Sequence, residues 1–225
     1  MKSSATSGLL SMVYSKWHLT GLILIVAAYV LVSIMSVGVM QTLTSETGAI
    51  EISSFLLAAY TACLTGWLSR HWGRRFWYVP ALLAVFALRE LDFHDWFFEP
   101  GLLHMGIFES PVPIWMKAVS AVTMITILVT LLFAMFGFVR YIVPAFFRLR
   151  GWAVSISVSL VFAVLSQVID GAGRKLAPYG ITLSPETSKA LGLLEELLEL
   201  GFFFLLIHAV ILVVRKYVVP EWRAD

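Results

Sequence analysis

Four short strings hold most of the chemistry open to this sequence: Glu51-Ile52-Ser53-Ser54, Arg89-Glu90-Leu91-Asp92-Phe93-His94-Asp95, Gln167 to Asp170, and Glu195-Glu196-Leu197-Leu198-Glu199. All four lie in or against long apolar runs. An ionisable side chain at the centre of a bilayer costs about 2.5 to 3.5 kcal/mol on insertion scales, so each is a functional hypothesis by default. Glu90 and His94 are four apart, as are Glu195 and Glu199, and Glu196 and Glu199 are three apart, so each pair projects from one side of a helix. Asp92 points roughly opposite to Glu90 and His94 if that helix is regular.

Carboxylates held together away from water cannot all stay ionised unless a cation shares their charge or some of them hold protons. Three kinds of chemistry follow. Carboxylate oxygens with one imidazole suit a divalent metal, namely zinc, iron or manganese. Clustered acids also mark proton or cation paths in transporters and channels. A third outcome is structural, with Arg89 and the acids neutralising one another. We favour a metal-dependent enzyme, since histidine accompanies the acids and Ser53 and Ser54 lie within a turn of Glu51. In that scheme Glu90, His94, Glu195, Glu199 and Asp92 supply metal ligands. Glu51 or Glu196 acts as general base, Ser54 assists catalysis, and Arg89, Ser53, Asp170 and His104 line the substrate site. Metal-bound water would then hydrolyse an ester or amide of a lipid or lipid-linked molecule.

The elements that must position these groups are membrane spans. The 225 residues are 60% hydrophobic and 13% charged, with mean hydropathy +0.88, against roughly 25% charged in soluble domains. About 20 apolar residues cross the hydrocarbon core. Six stretches qualify, at 19–42, 47–69, 76–98, 114–139, 152–173 and 187–214. The expectation is an all-α, polytopic transmembrane helical bundle of about six spans in a single domain over 1–225. The first run exceeds the 7 to 15 residues of a signal-peptide core and is expected to be retained as a helix. Ser184 is placed to cap the last span, with Pro185 opening it.

Lysine and arginine collect on cytoplasmic loops. Lys2, Lys16, Arg70, Arg74, Arg75, Arg140, Arg148, Arg150, Arg215, Lys216 and Arg223 fall on one side of the six-span topology, against Lys117, Arg174, Lys175 and Lys189 on the other. Both termini are therefore expected to be cytoplasmic. The acid-bearing ends of four spans then lie in the outer half, and the loop carrying Glu99, His104 and Glu109 faces out. Compact loops suggest a bacterial inner (plasma) membrane. Tryptophans 17, 72, 77, 96, 115, 152 and 222 sit near span ends, as an aromatic belt requires.

Several classes drop out. A net charge of +2 gives no electrostatic footprint for nucleic acid, so membrane lipids are the expected partners, and a homo-oligomer is compatible with the sequence. Cys63 alone offers no disulfide. His94 and His208 differ in depth, which argues against haem, and His208 reads as a hydrogen-bonding residue. Asp170 stands four residues before Arg174, so an ion pair there rivals a site role. No P-loop, dinucleotide fingerprint, nucleophile elbow or His-Glu-x-x-His motif is present.

Intramembrane Ser53 or Ser54, Asp92 with His94, and His208 on the last span together resemble the alkaline ceramidase and adiponectin-receptor group of intramembrane zinc hydrolases. That resemblance implies a zinc site and lipid amide hydrolysis. The sequence departs from the group in lacking paired histidines on the last span, where Glu195, Glu196 and Glu199 stand instead, and in having six spans rather than seven. The Arg89 to His94 string also resembles ones in poorly characterised bacterial polytopic membrane proteins. The wealth of carboxylates is similar to a di-iron or di-manganese bundle centre, although Glu90 and His94 are spaced four apart and not the three of a Glu-x-x-His pair. A di-metal oxidase and a non-catalytic membrane partner remain the further alternatives.

Overall fold

The computed structural model describes residues 17–38, 48–72, 76–90 and 101–218, and all regular structure among them is helical. We label the main helices α1 (Trp17–Val37), α2 (Ala49–Trp72), α3 (Tyr78–Glu90), α4 (Ile114–Gly137), α5 (Gly151–Ile169) and α6 (Pro185–Val213). Five continuous helical segments are long and apolar enough to cross a bilayer: Trp17–Val37, Ala49–Arg70, Ile114–Phe147, Gly151–Ile169 and Pro185–Lys216. Their outward residues are large and apolar, including Leu24, Val122, Leu132, Val164 and Leu197. An aqueous protein would not carry such a surface on helix after helix. The chain is an integral membrane protein. The third expected span, 76–98, is helical over Tyr78–Glu90, and 91–100 lie outside the described residues.

The chain resolves into two compact units, one made of the residues up to 54 with those from 145 onward, the other of 55–144. In the first, α5 and α6 form a close antiparallel hairpin. Gly151 lies against Leu212, Phe162 against Gly201, and Ser155 Oγ is 3.0 Å from His208 Nδ1. Each step forward on α5 meets a step back on α6. Small residues let the backbones approach: Ala153, Ser155, Ser159 and Ser166 are the buried residues of α5. Ser159 and Ser166 donate their hydroxyls to carbonyls three residues earlier, leaving no polar demand on the partner helix. At Gly201 an added Cβ would come within 2.8 Å of the Phe162 ring.

Ser184 caps α6 by accepting from the Thr187 N–H at 3.1 Å, with Pro185 in the first turn, as the sequence suggested. The other end of the hairpin's turn is set by Asp170, whose ψ of 126° leaves the helical region and ends α5, and by Gly171, at φ +56°. Asp170 and Arg174 therefore do not share one continuous helix. The helix stops at Asp170, and the Arg174 guanidinium folds over Gly171 instead. Lys175 Nζ donates to the Gln167 carbonyl at 2.6 Å, satisfying a carbonyl that the end of α5 leaves open.

In the second unit α3 packs on α4. Tyr78 lies against Gly137, its ring stacked on Phe133 at 6.5 Å, while Trp77 meets the same ring edge-on at 5.7 Å. Beyond Gly137 the helix widens into a π turn, Phe138–Ile142, before continuing to Phe147. Between α3 and α4 a 3-10 turn, Met105–Phe108, is pinned by buried Ile107. The Ser120 hydroxyl donates to the Leu102 carbonyl, and Lys117 Nζ donates to the Phe108 carbonyl at 2.9 Å.

A Cβ at residue 137 would overlap the Tyr78 hydroxyl. Gly137→Ala is accordingly expected to destabilise the protein by about 1 to 3 kcal/mol through overpacking. Tyr78→Phe in the same chain should restore only part of the loss, because it removes the colliding oxygen and leaves ring carbon Cζ within 2.8 Å of the added Cβ. Thermal unfolding of the four members of this double-mutant cycle in detergent measures the coupling.

Candidate functional site

Helix α6 has two working sides. Gly201 and His208, seven residues apart and hence on one side, face α5. Along the opposite side run Glu196, Glu199, Phe203, Ile207, Ile211 and Val214, spaced at three, four, four, four and three. The last four are buried, Phe203 at 2% exposure and Ile207 at 0%. The acids thus occupy one end of a stripe that is otherwise apolar and dry. Residues 184–190 are exposed, and so are Arg215 and Lys216. Counting back about 20 residues of hydrocarbon-spanning helix from Val214 places Glu195 to Glu199 in the first two turns inside the core. That position is shallower than mid-membrane and lowers the cost of carrying charge there.

Glu51 joins them from the first turn of α2. The carboxylates of Glu199, Glu51 and Glu195 all act electrostatically on Glu196, and all four side chains are half-buried. Oxygen Oε2 of Glu51 is closed off from solvent. The neighbouring serines differ. Ser53 Oγ donates to the Ala49 carbonyl at 2.6 Å and is spent within its own helix. Ser54, at 0% exposure, keeps its hydroxyl buried without a hydrogen-bond partner among the described residues. Buried hydroxyls are nearly always bonded, so Ser54 marks a place that calls for a polar ligand. It stands three residues after Glu51, on the same side of α2.

Several of the other expected residues belong to the second unit. Glu90, at 8% exposure, and Arg89, which is exposed, end α3 in the second unit. Asp92 and His94 lie outside the described residues. His104 caps the 3-10 turn in the second unit, its Nδ1 accepting from the Gly106 N–H at 3.1 Å. Asp170 caps α5. Among the described residues no three side chains of His, Cys, Asp and Glu come together as metal ligands do.

The chain matches no family model, and no curated protein or solved structure is similar to it.

Two features of the site escape a reading of the sequence. The Ser155–His208 bond depends on the stagger of α5 against α6, which no spacing within either helix encodes. The difference between Ser53 and Ser54 is a matter of one rotation step: adjacent hydroxyls 100° apart meet different surroundings.

Proposed function

We propose that this membrane protein binds a cation, whether a proton or a metal ion, at Glu51, Glu195, Glu196 and Glu199, and uses it for coupled transport. The observation that carries this reading is the meeting of acids from two separate helices at one end of a buried stripe. Several carboxylates in such a place share positive charge, or protons, to remain there. Beneath the acids, Phe203, Ile207, Ile211 and Val214 are packed and buried. Such a floor favours binding with a conformational step over an open channel. In the topology implied by the lysine and arginine distribution, the cluster opens toward the outer face of a bacterial inner membrane.

A second reading, a metal-dependent intramembrane hydrolase acting on a lipid or lipid-linked substrate, is favoured by the unbonded hydroxyl of Ser54 beside Glu51. In it Glu195 or Glu199 would help to hold zinc, iron or manganese, and Glu51 or Glu196 would act as base.

The two readings separate on purified protein. Elemental analysis after removal of loosely bound ions, with wild type beside Glu196→Gln and His94→Ala, is expected to show no stoichiometric transition metal. Proteoliposomes carrying wild type, and not Glu196→Gln, should dissipate an imposed proton or sodium gradient. Stoichiometric zinc, iron or manganese lost in both variants would overturn coupled transport in favour of the hydrolase.

A further inference from the structure

We propose that Arg140, with the aromatic rings around it, binds the phosphate group of an anionic phospholipid in the leaflet at which α4 ends. The site is independent of the acid cluster, since every residue it uses lies in the second unit. Arg140 stands at the middle of the π turn, Phe138–Ile142, and is exposed. Its guanidinium carbon is 5.9 Å from the centre of the Phe136 ring and 5.7 Å from that of Tyr141. Both distances lie within the reach of a cation-π contact. The Tyr141 ring is itself held in place. It lies 5.7 Å from Phe76, Phe76 lies 6.3 Å from Tyr78, and Tyr78 is stacked on Phe133 of α4. The rings form a platform, and an arginine resting on it loses less rotamer freedom when it binds.

Depth places the guanidinium among lipid headgroups. Arg140 follows Lys117 by 23 residues of continuous helix, about 35 Å at 1.5 Å per residue, against a hydrocarbon core about 30 Å thick. Lys117 turns to the Phe108 carbonyl at the start of α4. Arg140 therefore falls at the headgroup level of the opposite leaflet, where amphipathic rings are favoured.

Charge identifies the ligand. Among the described residues no carboxylate pairs with Arg140 and no acceptor takes a hydrogen bond from it; its partners are the two rings. The described acids of that unit, Glu90 and Glu109, belong to the end of α3 and the loop before α4, away from the π turn. A cation-π contact leaves the guanidinium N–H groups unspent. Their planar fork matches two oxygens of one phosphate, and a net-anionic lipid supplies that phosphate without a cationic group of its own to answer it.

The experiment is thermal unfolding of the full chain in neutral detergent, titrated with dioctanoyl phosphatidylglycerol, beside phosphatidylcholine of the same chain length and sodium phosphate at matched ionic strength. Wild type is expected to be stabilised by phosphatidylglycerol beyond both controls. Arg140→Gln should need about tenfold more of that lipid for equal stabilisation, through loss of one charge-assisted contact. Arg140→Lys keeps the charge and loses the fork, and should need about threefold more. Arg148→Gln removes the same charge from another exposed position and should titrate like wild type. Equal titration of Arg140→Gln and wild type would overturn the site, and so would equal weakening by Arg140→Gln and Arg148→Gln, which marks diffuse attraction. Arg140→Lys matching wild type would remove the bidentate role. Phosphatidylcholine as effective as phosphatidylglycerol would overturn the charge class of the lipid, and sodium phosphate as effective would overturn a lipid as the occupant.

Discussion

Exchange of Glu51, Glu195, Glu196 and Glu199 for glutamine, all four together, is expected to give a protein more stable than wild type in cation-free detergent and unresponsive to added cation. Glutamine keeps the shape and hydrogen-bonding reach of each side chain and removes its charge. The charges acting on Glu196 come from three other carboxylates, so the wild-type cluster carries mutual repulsion and desolvation that glutamine does not. Even a buried ion pair can be replaced by well-packed apolar residues at no cost or with a gain of about 1 to 4 kcal/mol, and a set of like charges has less to lose. Sites that hold such strain are those where function was favoured over stability. Thermal unfolding by circular dichroism, with and without sodium or calcium, checks both halves of the expectation. A variant that unfolds at lower temperature than wild type would mean that the acids serve as structural bonds, and the coupled-transport reading would lose its basis.

Residue spacing made a good part of this arrangement legible in advance. The stripe of Glu196, Glu199, Phe203, Ile207 and Val214 is a helical period that can be counted, and so is the shared side of Glu51 and Ser54. The cap at Ser184 with Pro185 follows from local backbone chemistry, which tertiary packing did not override. Helix pairing is different. The stagger that sets His208 on Ser155 depends on where Phe162 finds room, and that room exists because residue 201 is glycine. Only the packed structure connects those two facts.

The basic residues that broke the expected charge asymmetry show the same limit. Lys117 and Lys175 each donate to an open backbone carbonyl, at Phe108 and Gln167. Their positions answer a local hydrogen-bonding need that competes with the topological preference. Asp170 shows a related limit. Its spacing to Arg174 is helical, yet Gly171 turns the backbone left-handed and ends the helix between them.

Ile207→Glu tests the depth argument that underlies the site. Ile207 is wholly buried on the stripe that bears the acids, eight residues beyond Glu199. At 1.5 Å per residue that is about 12 Å deeper along the axis, close to the middle of a hydrocarbon core about 30 Å thick. The same carboxylate that is tolerated at Glu199 should there cost about 3 kcal/mol on insertion scales, with further loss from the packing it displaces. The expected result is a protein that fails to accumulate in the membrane fraction or unfolds at once in mild detergent. Ile207→Gln isolates the charge and should be less severe. Leu197→Glu, at an exposed position level with the natural acids, should be milder still. A ranking of accumulation in that order fits a shallow acid cluster above an apolar floor. Equal tolerance of glutamate at 197 and 207 would mean that water reaches the stripe well below Glu199, and the floor that separates coupled binding from open conduction would not exist.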